Sequence, residues 1–208
     1  MAASVASPAS SAAAAACGSI LWIDMEDSSY VDRTLALYEN VKRAYPNCGL
    51  AIQAYLLRTP QDIERLMAVQ PIVRLVKGAY AEPAHIAFPV KADTDRAYYE
   101  VAVTMLQQAA KGNCFPIFGT HDIPLVDRIV AAAKEIGVAD GKYEIHMLYG
   151  IRDADQARLV RDGRTVKTLI SYGSSWYKWY MRRLAERPRS PRPYLRQDAQ
   201  ELHPHQRR

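Results

Sequence analysis

Long apolar runs are missing: no stretch reaches the roughly 18 apolar residues that a membrane-spanning helix requires. Cysteine is scarce as well. Cys17, Cys48 and Cys114 are odd in number, far apart and form no Cys-x-x-Cys. That points away from a disulfide framework or zinc site and toward a reducing compartment. The Gly-x-Gly-x-x-Gly turn of a dinucleotide-binding sheet is absent after the first strand candidate, and Gly141-Lys142 has no phosphate-loop context. Positive charge is also thin over most of the chain. The net charge is +5, but from Arg187 onward six arginines face only Asp198 and Glu201, a balance of +4. The other 186 residues therefore carry +1, which removes the case for a nucleic-acid partner.

What is present begins with an Ala/Ser-rich segment, residues 1–19. It lacks the basic start and apolar centre of a secretory signal and the arginines of a transit peptide. Ala14-Ala15-Ala16-Cys17 resembles a lipoprotein cleavage site only without those flanks, so composition predicts a disordered tail. A second disordered tail, rich in Pro, Arg and Gln, is expected over 189–208. Between them, residues 20–188 form one expected domain. Apolar runs at Ile20–Met25, Leu50–Leu56, Ile72–Lys77, Phe115–Thr120, Tyr143–Leu148 and Val166–Ser171 read as strands. Helical periods cover 28–45, 60–69, 94–111, 123–136, 153–162 and 174–186. Asp27 or Ser28 can cap the first of these, Pro60 suits a first turn, and Gly112, Gly137 and Gly163 suit helix ends.

Six βα units in tandem require a parallel sheet covered by helices, either open and doubly wound or part of a barrel. Polar residues stand at strand C-termini along the chain: Asp24, Gln53, Arg74 with Lys77, Thr120 with His121, then His146. A barrel gathers all its strand tips into one site, whereas an open sheet uses only those beside its switch point. The fold class expected is thus α/β, a (βα)8 TIM-type barrel, incomplete, with about the last six βα units present. The count leaves it two units short at the N-terminal side.

The stretch from Arg74 to Tyr80 concentrates the chemistry. Two cations, Arg74 and Lys77, interrupt a β-branched strand, and a Gly-Ala step follows. Buried cations are costly unless an anion or polar ligand meets them, and glycine permits close backbone approach. The pattern reads as a floor for a large anionic cofactor. The alternative is a strand end whose cations point to solvent.

Six motifs then occur in order: Ile23-Asp24-Met25-Glu26-Asp27, Gln53-Ala54-Tyr55-Leu56, Arg74-Leu75-Val76-Lys77-Gly78-Ala79-Tyr80, Thr120-His121-Asp122, Met147-Leu148-Tyr149-Gly150 and Met181 to Pro188. Together they resemble the bacterial proline dehydrogenases of the single-function type, from about Leu21 to Pro188. The resemblance implies a distorted (βα)8 barrel that binds FAD and oxidises L-proline to Δ1-pyrroline-5-carboxylate. It also implies a quinone electron acceptor, so a cytoplasmic protein touching the inner face of the membrane only peripherally.

By the same resemblance, Arg182 and Arg183 bind the proline carboxylate, and Glu186 lies within helical reach of both. The alternative for these three is a surface Arg/Glu ladder. Arg74 corresponds to a catalytic cation beside the flavin, whose charge would stabilise the anion formed as hydride arrives. Asp24 corresponds to an active-site carboxylate that holds other side chains in place. Met25, Gln53, Val76, Lys77, Gly78, Ala79, Thr120 and His121 correspond to cofactor contacts. A metal site built from His121, Asp122 and His146 is the competing reading, but these come from only two strand ends, so no metal is expected.

The chain departs from the family pattern at several places. Leu169 replaces a tyrosine on the last strand, Trp179 a tyrosine, Lys178 a proline, His146 a glutamine and Gly119 an alanine. A lysine on an earlier strand has no counterpart. A barrel short of two strands also exposes unpaired edges, which suggests association with a second copy. The rival expectations are an inactive remnant and a non-enzymatic protein that binds partners through its basic tail.

Overall fold

In the computed structural model, residues 8–170 are described, with side chains from Ser10 onward. Their centre is a single sheet of six parallel strands in the order β1-β2-β3-β4-β5-β6. The strands are β1 (Leu21–Ile23), β2 (Cys48–Gln53), β3 (Ile72–Val76), β4 (Phe115–Gly119), β5 (Glu144–Leu148) and β6 (Val166–Leu169). Helices α2 (Val31–Ala44), α3 (Thr59–Leu66), α4 (Lys91–Ala110), α5 (Ile123–Ile136) and α6 (Asp153–Arg161) follow the first five strands. A further helix, α1 (Pro8–Ala16), precedes β1.

The ladder pairs Ala51 with Arg74, Arg74 with Ile117 and Ile117 with Glu144. Paired residues of a parallel sheet point to one side, and neighbours along each strand alternate. One face thus presents Trp22, Gln53, Arg74, Glu144, His146 and Lys167. The other presents Leu50, Ile52, Val73, Leu75 and Phe118, all in the core with α2, α4 and α5. Burying that second face under helices is what makes the strands read as near-continuous apolar runs.

The sheet is strongly curled. Four strand spacings separate β1 from β5, about 19 Å across a flat sheet. Yet the Trp22 and His146 rings lie with centroids 6.0 Å apart, meeting across the concave side. Curvature of this degree is that of an incomplete barrel, as the six βα units predict.

Local chemistry accounts for the boundaries. Asp27 accepts from Ser29 N–H and opens a 3-10 turn, Ser28–Tyr30, before α2. Pro60 sits in the first turn of α3, and Gly137 ends α5 in the left-handed region. Two expectations need correction. The strand expected over Leu50–Leu56 begins earlier, at Cys48, and stops at Gln53. Beyond it the Thr59 hydroxyl donates to Gln53 O at 2.6 Å and turns the chain away. Residues 8–16, expected in a disordered tail, form α1. Five consecutive alanines there have the highest helix propensity of any residue, which low-complexity composition conceals. The expected helix over 174–186 and the tail over 189–208 lie outside the described residues.

Candidate active site

Arg74 sits at the centre of the concave face. Its guanidinium lies over the Trp22 ring, Cζ 4.4 Å from the centroid, and its Nη2 donates to Asp24. The Arg74 side chain is 14% exposed, whereas Asp24 is 70% exposed and reaches in from the rim. One exposed carboxylate is a modest partner for a largely buried cation, and it is the guanidinium's one acceptor among the described residues. The pairing with Asp24 limits where the Arg74 guanidinium can point.

Gln53, at the tip of the neighbouring strand, is 4% exposed. Its Oε1 is buried without a hydrogen-bond partner among the described residues. Leaving such an atom unpaired costs about 1–3 kcal/mol. An unpaired amide oxygen beside an under-partnered cation fits a ligand bearing both donor and acceptor groups, as a flavin ring edge does.

Lys77 is engaged differently from what the sequence suggests. Its ammonium pairs with Asp95 and, at 2.8 Å, with Asp122, while Lys91 pairs with Asp95. Two lysines and two aspartates make a neutral cluster, not a bare cation waiting for a pyrophosphate. Asp122 also caps α5 by accepting from Leu125 N–H at 3.3 Å. Burial raises the carboxyls of Asp95 and Asp122, but the Lys77 hydrogen bond and charge bring both below the usual carboxylate value.

Gly78 has φ +112, and a Cβ there would lie 2.2 Å from Tyr55 Cδ1. The Tyr55 ring, not open space, occupies the place a side chain would take. Val76 is half-buried beside Arg74 on the concave side, and Ala79 is exposed. Thr120 is buried, its hydroxyl accepting from Asp122 N–H at 3.2 Å. His121 Nε2 accepts from Leu148 N–H at 3.0 Å, which makes Nδ1 the protonated nitrogen of a neutral ring. Met25 departs from the group: it packs in the hydrophobic core with Ile23 and Val31. Successive residues face opposite ways, so Asp24 reaches Arg74 and Met25 does not. Arg182, Arg183 and Glu186 lie outside the described residues.

Several participants were not singled out from sequence. Trp22, Glu144 and Lys167 share the concave face with Arg74 and His146, and Asp95 completes the Lys77 cluster. The available signal was period two: Trp22 precedes Asp24 by two residues, and Glu144 precedes His146 by two. His146 and Glu144 are 2.9 Å apart, and Lys167 donates to Glu144 at 2.8 Å. Each of His121, Asp122 and His146 is thus committed to a different neighbour. Among the described residues no three His, Cys, Asp or Glu side chains gather as metal ligands would.

Comparison with known families assigns the chain as a whole. The family model described as proline dehydrogenase matches residues 9–188.

The chain belongs to the proline dehydrogenase family.

It is 40% identical over 166 residues to proline dehydrogenase 2 of Bacillus subtilis strain 168, covering 80% of this chain and 54% of that one. It is 35% identical over 175 residues to proline dehydrogenase of Deinococcus radiodurans, covering 83% and 55%. The chain therefore spans about half the length of the curated relatives it matches. Proline utilization A from Bdellovibrio bacteriovorus, inactivated by N-propargylglycine, superposes with TM-score 0.77 at 23% identity. That match covers 91% of this chain and 22% of that one, and it shows the fold. A bifunctional proline utilization A superposes with TM-score 0.75 at 26% identity, covering 86% and 20%. These likenesses bear out the expected family and the expected incomplete α/β barrel.

Proposed function

We propose that this chain carries the cofactor- and substrate-binding part of a proline dehydrogenase that uses FAD to oxidise L-proline to Δ1-pyrroline-5-carboxylate in proline catabolism. The supporting observation is Arg74, a largely buried cation fixed by Asp24 and Trp22 on a concave strand-tip surface next to the unpaired Gln53 oxygen. FAD, when bound, supplies a two-electron hydride acceptor. Arg74 and Gln53 would hold its ring edge, with Val76, Lys77, Gly78, Ala79, Thr120 and His121 forming the surrounding wall. Met25 would support that wall from the core. The oxidation removes a hydride from the proline ring carbon beside nitrogen and a proton from that nitrogen, leaving a C=N bond. Arg74 supplies fixed positive charge where negative charge accumulates. Asp24 keeps the guanidinium from swinging to solvent. Arg182 and Arg183, steadied by Glu186, would bind the proline carboxylate through forked hydrogen bonds and bring the ring to the reacting distance.

A quinone would receive the electrons by peripheral contact of a cytoplasmic protein with the membrane. No helix among the described residues is long and apolar enough to cross one. Association of two copies through the sheet edges completes the proposal.

The test is direct. The purified chain should show the absorption bands of bound flavin, and added proline should drive dye reduction. A colourless, flavin-free preparation that takes up no added FAD rejects the reading. In an active sample, Arg182→Met and Arg183→Met should each weaken apparent proline affinity at least tenfold, the loss of a charge-assisted pair. Unchanged affinity would remove the substrate role of the two arginines.

A further inference from the structure

Trp22 is held from three sides. Across the β1–β2 ladder stands Gly49, where a Cβ would lie 2.7 Å from Trp22 Cζ3 and 3.0 Å from Ile20 Cγ2. No φ constraint demands glycine there; the indole's position does. From β5, the His146 ring meets the indole edge-on, with centroids 6.0 Å apart and planes at 73°. His146 is anchored in turn by Glu144 at 2.9 Å, and Glu144 by Lys167 at 2.8 Å. Glu144 is 7% exposed, so this is a buried carboxylate with both oxygens engaged. On the third side lies Arg74, its Cζ 4.4 Å from the ring centroid.

Glycine beneath, imidazole at the edge and guanidinium on the face leave the indole little freedom. Arg74 needs such a restraint. Its side chain has four rotatable bonds, and its one acceptor among the described residues is the well-exposed Asp24. A flat aromatic face restricts a guanidinium to a plane, which a single carboxylate does not.

We propose that Trp22 is a positioning residue for Arg74: Gly49 and the Lys167–Glu144–His146 chain set the indole, and the indole sets the guanidinium. The catalytic consequence rests on the role given to Arg74 above; the geometry does not.

The test therefore has two arms. The first reads the Arg74 side-chain resonances by NMR in the full chain, assigned through their loss in Arg74→Lys. Protons stacked on an indole face are shifted upfield by its ring current. Trp22→Leu should return the Arg74 signals to ordinary arginine positions, and Gly49→Ala, which displaces the ring, should move them the same way. His146→Gln should shift them partly. Trp22→Phe, which keeps an aromatic face and the fold, should retain a reduced upfield shift and serves if Trp22→Leu does not fold. Arg74 signals that are identical in wild type, Gly49→Ala and Trp22→Phe overturn the proposal.

The second arm measures proline-dependent dye reduction with flavin supplied. Trp22→Leu should lower kcat on the order of tenfold to a hundredfold with KM for proline little changed, and Trp22→Phe should recover part of it. A rise in KM alone would contradict positioning of Arg74. If wild type neither binds flavin nor oxidises proline, the functional reading fails, and the first arm still decides the positioning claim.

Discussion

A methyl group at residue 78 would collide with Tyr55 Cδ1 at 2.2 Å while the backbone holds φ +112. Both penalties apply to any side chain, and neither depends on a ligand. Strain in a glycine-only region and overpacking each cost about 1–3 kcal/mol, so Gly78→Ala should lose about 2–6 kcal/mol of stability. Urea unfolding in the absence of cofactor checks this, and an unchanged midpoint would mean Tyr55 is free to move aside. Lys77 gives a prediction with a pH signature. Asp95 and Asp122 have carboxyls below the ordinary 3.8, raised by burial but lowered further by Lys77. A depressed carboxylate stabilises the fold fully above its unfolded value, and that stability is lost as pH falls through the folded value. Lys77→Met should therefore lower Tm most at pH 7, and the gap to wild type should close below about pH 4. A gap that stays constant from pH 7 to pH 3 would show that the ion pairs add nothing. Sequence alone presented Lys77 as an unmatched cation because its partners, Asp95 on α4 and Asp122 before α5, lie 18 and 45 residues away. Asp24, Gln53 and Arg74 stood out as strand-end residues, because polar residues there contrast with apolar runs, but the Arg74–Asp24 pair and the burial of Gln53 did not. Nor did Trp22: a lone aromatic in a strand looks like core until the curl of the sheet shows which face it occupies.

At the scale of elements, α2 is fastened to the sheet by one hydroxyl. Tyr38 is fully buried; its Oη accepts from Ile72 N–H at 3.0 Å and lies 3.3 Å from Ile72 O. Burial pushes the phenol far above its usual range, so it stays neutral at any working pH. Tyr38→Phe keeps the ring but strands the Ile72 N–H at the start of β3, which should cost about 1–3 kcal/mol. Thermal unfolding at neutral pH measures it, and a neutral result would mean that water replaces the hydroxyl. Most elements of this kind could be read from pattern. Apolar runs five or six residues long separated β3, β4 and β5 cleanly, and glycine or proline punctuated α3 and α5. The misjudged boundary at β2 has a physical cause: apolarity continues through Ala54–Leu56, yet these residues turn. They stay buried because Phe88 N–H bonds to Tyr55 O at 2.9 Å and Leu57 N–H to Ile86 O at 3.0 Å, a fold-back by a distant loop. Local sequence carries no trace of that contact. α1 was missed for the opposite reason, since alanine-rich composition is compatible with both a helix and a low-complexity tail.

At the scale of the molecule, the decisive property is that the sheet curls as a barrel does while, among the described residues, β1 and β6 each have a single strand neighbour. A closed barrel has no edges, whereas a partial one presents unpaired N–H and C=O groups. The exposed end is β6, where Leu169 is 50% exposed on the concave side and only Val166 is half-buried. β2, at the interior of the sheet, is buried throughout. An edge of this kind favours pairing with another chain, and a second copy is always available at the chain's own concentration. The isolated chain should thus self-associate in a concentration-dependent way, detected as a rising sedimentation coefficient between micromolar and tens of micromolar protein. Leu169→Lys tests the cause. It replaces an exposed apolar side chain at that edge by a charge, the usual means by which natural edges avoid pairing. Because residue 169 is half-exposed and outside the apolar core, the substitution should leave Tm within a degree or two while shifting the population toward monomer. If association instead persists unchanged in Leu169→Lys, the contact lies elsewhere, and if wild type stays monomeric throughout, the β6 edge is not adhesive at all.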